Sequence, residues 1–316
     1  MNNLWYDGFL KALHKKHPKK AQLVEELTDL LAIERESAYR RLRKEVIFPV
    51  DELVKIASAW NISLDEIADI NHNHISFKVQ LADYISPPAT QLKHTQNIIR
   101  VCNLPGMKYM EVSNKLPRSL ASGFPYLARY QLLKWMYQFV KEEKRILPYS
   151  KIFFPAKMSG LVSEYYKAVK NIEDTTFVWD HALFEFLVLD IRYFHSIYLI
   201  SDEEKELIKN ELFSLLDYMS EVATKGCWPE TGKKVNLYIA SISIDTNYNY
   251  YYSDEFKVCR VHAFAKNEIY SRNPAMIEDF VEWMQLKKRA SVKISEADEK
   301  SRIEFFMKQR KLIGEL

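Results

Sequence analysis

Glycine is scarce in this sequence, with seven in 316 residues beside only eleven prolines. So few turn-formers argue against an all-β fold with its many tight corners and favour long helices. Cysteine is scarcer still. Cys102, Cys227 and Cys259 lie far apart, lack metal-ligand spacing and form no even-numbered set, so they read as reduced, intracellular thiols. No apolar run approaches the roughly 18 residues of a membrane span. The longest candidate, residues 182–200, is interrupted by Glu185, Asp190, Arg192 and His195. The amino terminus lacks a signal-peptide pattern, because Asp7 and Lys11 flank only a short apolar run. These absences lead to the expectation of a cytoplasmic protein without a membrane span. Catalytic motifs are missing as well: there is no G-x-S-x-G, P-loop, G-x-G-x-x-G, H-E-x-x-H or C-x-x-C. No enzymatic activity, cofactor or metal is therefore expected.

Hydrophobic residues make up 47% of the chain, ample for a large core and for two domains. Net charge is +3, and residues 1–68 hold eleven basic and eleven acidic side chains, so net charge alone says nothing about nucleic acid. Clustering says more. Basic residues bunch at Lys15, Lys16, Lys19 and Lys20 and again from Arg35 to Lys44, while the acids gather elsewhere. A one-sided distribution can give a neutral domain a positive face. The run at 14–19 reads either as a solvated loop or as a phosphate contact.

Residues 20–67 are the most informative stretch. Residues 3–14 precede it as an amphipathic helix with Trp5, Phe9 and Leu13 on one face. Leu23, Leu27, Leu30 and Leu31 then recur at helical spacing. After a break at Ala32-Ile33-Glu34, a short helix from Arg35 to about Lys44 has one good inward pair, Ala38 and Leu42. Its remaining positions are mostly polar and Arg-rich. A helix with so thin an apolar seam fits poorly as core and well as an element offered to a polyanion. A third helix begins near Pro49, with Asp51 and Glu52 in its first turn. Leu53, Ile56, Ala57 and Trp60 form its inner face, and Asn61 suits its end.

Over residues 20–67 the chain resembles the phage-repressor-like (Xre-type) helix-turn-helix family. The family's leucine–small–x–x–leucine helix corresponds to Leu27, Thr28 and Leu31. Its turn corresponds to Ala32-Ile33, its recognition helix to Glu34–Arg43 and its trailing I/V-S-L-D-E-I to Ile62–Ile67. Ala32 stands where the family usually has glycine, Val24 where it often has glutamine, and Glu34 where it has a Ser or Thr cap. The resemblance implies a domain over 1–70 that reads a double-stranded DNA operator through the major groove. It implies base contacts from Arg35, Glu36 and Arg40. Arginine grips a guanine edge, and Glu36 either accepts from a cytosine or orients an arginine. Ser37, Tyr39, Arg43, Lys44, Lys19 and Lys20 are then phosphate contacts. Repressors of this type are usually two-fold, so a homodimer is expected.

Residues 68–78 lose periodicity and read as a linker; His72 and His74 there have no third ligand nearby. Beyond it, helices are expected over about 89–102, 124–143, 157–171, 180–198, 202–224, 274–290 and 296–313. Strands are expected over 75–85 and 108–113, and 174–177 reads as a cap or short strand. Val235–Ile244, Tyr248–Tyr252 and Val258–Phe264 read as an antiparallel meander. The fold class expected is thus mainly α. An all-α domain would precede a larger α+β domain, 75–316, with one small antiparallel sheet that dimerises, senses a small-molecule or peptide effector, or both. This half loosely resembles that of uncharacterised bacterial regulators with the same domain order. The tyrosines at 248–252 suit either an aromatic pocket or a packed strand. The alternative to DNA binding is an antitoxin-like or scaffold module whose helix-turn-helix binds protein. An enzyme in the larger domain would need a deep pocket with converging polar groups and a shifted carboxylate or histidine.

Overall fold

In a computed structural model of the chain, residues 4–64, 67, 78–80, 87–139, 147–154, 156–263 and 267–316 are described. Of the expected linker at 68–78, all but Lys78, including His72 and His74, lies outside them. So do parts of the expected strand at 75–85 and of the helix reaching 143. The chain divides into two units, Met1–Ser76 and Phe77–Leu316.

The described part of the first unit is helical: α1 (Leu4–Lys16), α2 (Lys20–Leu31), α3 (Arg35–Leu42) and α4 (Val50–Trp60). Tyr6, Phe9, Leu10 and Leu13 of α1 meet Leu23, Val24 and Leu27 of α2, Ala38 of α3 and Leu53 and Ile56 of α4 in one core. Trp5, expected on the inner face of α1, is exposed; Tyr6 takes that place. Leu30, Leu31 and Trp60 pack against the core only in part. Both α2 and α4 end on left-handed residues, Ala32 at φ 52° and Asn61 at φ 50°. Asparagine tolerates that conformation, whereas alanine's Cβ makes it costly.

The second unit corrects the expected fold class. It holds one eight-stranded mixed sheet, and the unit is mixed α/β rather than mainly α with a small antiparallel sheet. The sheet is built from β1 (Lys78–Gln80), β2 (Lys108–Ser113), β3 (Asp174–Trp179), β4 (Lys234–Ala240), β5 (Tyr248–Tyr252), β6 (Lys257–His262), β7 (Glu268–Ser271) and β8 (Ser291–Lys293). Their order is β1-β7-β6-β5-β2-β3-β4-β8. The core strands β2, β3 and β4 run parallel, and the rest pair antiparallel.

Helices supply the connections that parallel strands require. Between β2 and β3 lie α6 (Arg118–Ala121), α7 (Pro125–Phe139) and α8 (Ala156–Lys170). Between β3 and β4 lie α9 (Glu185–Ser196) and α10 (Asp202–Lys225). Three further helices, α5 (Pro87–Cys102), α11 (Pro274–Arg289) and α12 (Glu299–Gly314), complete the unit. Residues 181–184, expected to be helical, form turns.

Two layers cover the sheet. On one face Tyr109, Phe177, Trp179, Leu237 and Tyr251 pack under α5 to α10 and α12. On the other, Met110, Val112, Val178, Tyr250 and Cys259 pack against Ile277, Phe280 and Met284 of α11. No helix among the described residues is long and apolar enough to cross a membrane.

Candidate nucleic-acid interface and a buried polar cavity

The short helix α3 is fixed from three sides. Ala38 is fully buried in the core. The Tyr6 hydroxyl lies 3.1 Å from the Arg41 carbonyl and 3.3 Å from the Val46 carbonyl, and accepts from the Phe48 amide at 3.3 Å. Arg41 turns inward: Nε and Nη2 donate to the two Glu52 oxygens at 2.7 and 2.8 Å, and Nη1 donates to the Ser37 carbonyl at 3.2 Å. With Ala38 and Arg41 inward, the helical repeat turns Glu36, Arg40 and Arg43 outward, and all three are exposed.

That outer face carries its own charge network. Glu36 accepts from Arg43 Nη2 at 2.6 Å, and Glu45 pairs with Arg43 at 2.9 Å and with Arg40 at 3.5 Å. Exposed pairs of this kind are worth about 0–1 kcal/mol, so a phosphate or base edge can displace them at small cost. Arg35 is exposed and in no ion pair among the described residues.

The phosphate candidates fall into three situations. Lys20 Nζ sits 5.7 Å from the centre of the Tyr39 ring, so the start of α2 and the side of α3 meet there. Lys19 is exposed at the α2 N-cap, where unpaired amides and the helix dipole favour an anion. Lys44, at φ 66°, pairs with Asp7 of α1, and Ser37 is half-buried with its carbonyl engaged by Arg41. Glu34 holds the extended N-cap backbone of α3 but makes no side-chain cap bond. Val24, at the position where the family often has glutamine, is fully buried.

Sequence reading did not anticipate a second concave site, a cavity of about 360 Å³ within Phe77–Leu316. Its floor is the helix-covered sheet face: Tyr109 and Glu111 of β2, Asn249 and Tyr251 of β5, Arg260 of β6 and Glu268 of β7. Burial raises the Glu111 carboxyl to about 7, although the Tyr109 hydroxyl donates to it at 2.7 Å. Glu268 moves the other way. Its burial is outweighed by the neighbouring His94, Arg260 at 3.3 Å and His262, which lower its pKa. Of the tyrosines at 248–252, only Tyr251 lines the cavity; Tyr250 and Tyr252 stack at 4.6 Å beside the core on the other sheet face.

Two acid–histidine neighbourhoods outside the cavity, at Asp180-His181 and at His195, make local contacts. Asp180 accepts from the Ala182 and Ile244 amides at 2.8 and 2.7 Å, and His195 Nε2 lies 2.9 Å from Asp202. Among the described residues no group of three or more His, Cys, Asp or Glu is placed to hold a metal.

Comparison of the chain with protein-family models, curated proteins and solved structures returns no match.

Proposed function

We propose that the chain is a cytoplasmic, sequence-specific DNA-binding transcriptional regulator of the phage-repressor-like type. It would act as a homodimer, with Phe77–Leu316 serving dimerisation, effector sensing or both. The observation that carries this reading is α3 itself. It is pinned by Tyr6, Ala38 and the Arg41–Glu52 pair, with Glu36, Arg40 and Arg43 facing outward. Such a helix suits entry into a major groove, with Arg35, Glu36 and Arg40 reading bases. Ser37, Tyr39, Arg43, Lys44, Lys19 and Lys20 would then grip phosphates and set the register.

Selection of genomic fragments by the full chain at two salt concentrations tests this. The expected result is an enriched motif of paired half-sites about one helical turn apart, with affinity falling steeply as salt rises. No motif, together with weak and salt-insensitive binding, would reject the reading and favour a protein-binding module.

A second reading has one observation behind it. Glu111 and Glu268 share a cavity whose surroundings push their pKa values apart, a pattern also found at acid–base catalytic sites. Chemical conversion of a bound compound by the purified chain would support an enzyme in Phe77–Leu316; its recovery unchanged would support sensing.

A further inference from the structure

The cavity lies at the carboxyl ends of β2 and β3, lined there by Lys115, Arg118 and Leu183. From β2 the chain winds through β3 to β4, then crosses back to place β5 on the other side of β2. Crevices at such reversals of winding, outside the strand ends, are where open α/β sheets take their ligands. The volume falls at the small end of the usual range for organic ligands.

Charge selects the ligand's sign. Four cations, Lys115, Arg118, Lys134 and Arg260, line the cavity with two carboxylates. Glu268 is matched by Arg260, and Lys134 by Asp190 from outside the lining. Arg118 donates to the Thr95 hydroxyl at 2.8 Å and acts on Glu268 only from beyond ion-pair distance, and Lys115 is in no ion pair among the described residues. Glu111, half-protonated near neutral pH, cannot offset both.

Unsatisfied polar atoms add a second and independent sign of a ligand. The Tyr130 and Ser119 hydroxyls belong to cavity-lining residues that are 1% and 5% exposed, and they have no hydrogen-bond partner among the described residues. The side-chain carbonyl of Asn249, another lining residue, is a buried acceptor without a donor among the described residues. Native folds rarely leave such groups unpaired. Tyr165, Tyr251, Leu183 and Leu187 supply an apolar part of the lining, beside polar side chains such as Gln131, Gln138 and Asn247.

We propose that this cavity binds a small organic carboxylate with a ring-sized apolar body. The carboxylate would be held at Lys115, Arg118 and Ser119, and the body would lie against Tyr165 and Tyr251. A hydroxyl or amino group of the ligand would donate to Asn249, and the Tyr130 hydroxyl would donate to the ligand. The inference rests on the effector-sensing part of the function above and is independent of DNA binding.

The test uses the full chain and four probes: benzoate, 4-hydroxybenzoate, phenylacetate and indole-3-acetate, each beside its primary amide. Calorimetric titration and the thermal midpoint are the readouts. At least one carboxylate should bind and raise the midpoint, at least tenfold more tightly than its amide. Arg118→Gln should remove roughly tenfold of the carboxylate affinity and leave the amide unchanged. Tyr130→Phe, which keeps the shape, should weaken binding several-fold without lowering the midpoint of the free chain, and it serves if Arg118→Gln misfolds. Absence of binding by all four carboxylates overturns the proposal. So does equal binding of acids and amides, or affinity unchanged in Tyr130→Phe. Fragment selection run in parallel separates the two failures: DNA binding without any bound carboxylate rejects the cavity alone, and the converse rejects the DNA reading alone.

Discussion

Arg41 and Glu52 lock α3 to α4 through two charge-assisted hydrogen bonds at 2.7 and 2.8 Å, with their side chains only 14% and 18% exposed. In a row of four arginines and one lysine between 35 and 44, this arginine is turned inward. Glu52→Gln keeps the shape but removes the charge. We expect a loss of about 1–3 kcal/mol in unfolding free energy of the helical unit, because Arg41 is left mostly buried without its counter-ion. Chemical denaturation checks this. Binding to cognate and scrambled DNA should fall together. An unchanged denaturation midpoint with altered base preference would instead make Arg41 a reader.

Arg40 should behave differently. Arg40→Ala leaves the core untouched, so stability should stay within about 0.5 kcal/mol. Cognate binding should weaken by about 1–3 kcal/mol, with preference relaxed at one base pair. Equal losses on cognate and scrambled sites in a filter-binding titration would move Arg40 to the phosphate contacts.

Glu36 holds Arg43 at 2.6 Å on an exposed face. Glu36→Gln removes one of the two carboxylates on that guanidinium, leaving Glu45 at 2.9 Å, and with it a charge that repels phosphate. Binding to scrambled DNA should tighten about two- to fivefold, and the salt slope should steepen by about one. Weaker binding to every sequence would contradict this arrangement.

The left-handed Ala32, at φ 52° and ψ 45°, gives a prediction of opposite sign. A left-handed alanine costs about 1–2 kcal/mol. Glycine removes that strain and gives back about 0.4–1 kcal/mol in unfolded-state entropy. Ala32→Gly should therefore stabilise the helical unit by about 0.5–1 kcal/mol, read from its denaturant midpoint.

Local signals were the legible part of the sequence. Ser201 and Glu204 mark the start of α10, and both bonds of the capping box form, at 3.2 and 2.9 Å. Asn61 marks the end of α4 for an equally local reason. The sheet was misread because its central strands are covered on both faces. Five of the six residues of β3 are buried, so the two-residue alternation that reveals a half-exposed strand is lost. Asp174 to Phe177 consequently reads as either a cap or a short strand. The cavity was illegible because its lining comes from positions between 94 and 268 that share no spacing. The inward turn of Arg41 depends on Glu52, a residue whose own position suggests only a helix start.

Glu111 makes the larger unit sensitive to pH. Burial raises its carboxyl from the usual 4.5 to about 7. The hydroxyls of Tyr109, Tyr165 and Tyr251 in the same cavity are pushed up by burial and do not titrate in that window. Between pH 4.5 and 7 the folded state keeps a proton that the unfolded chain has released. The Glu111 contribution to stability is thus fully present below about 4.5, declines as pH rises and is lost above 7, a change on the order of 3 kcal/mol. Glu268, with its pKa lowered, adds a loss only on the acid side of 4.5. Glu111→Gln should match the parent chain near pH 5 and exceed its stability at pH 8, in urea melts followed across that range. The same proton acts on the cavity's charge: with Glu111 neutral the site repels an anion less. A carboxylate probe should therefore bind the parent chain several-fold more tightly at pH 6 than at pH 8, and Glu111→Gln should flatten that dependence.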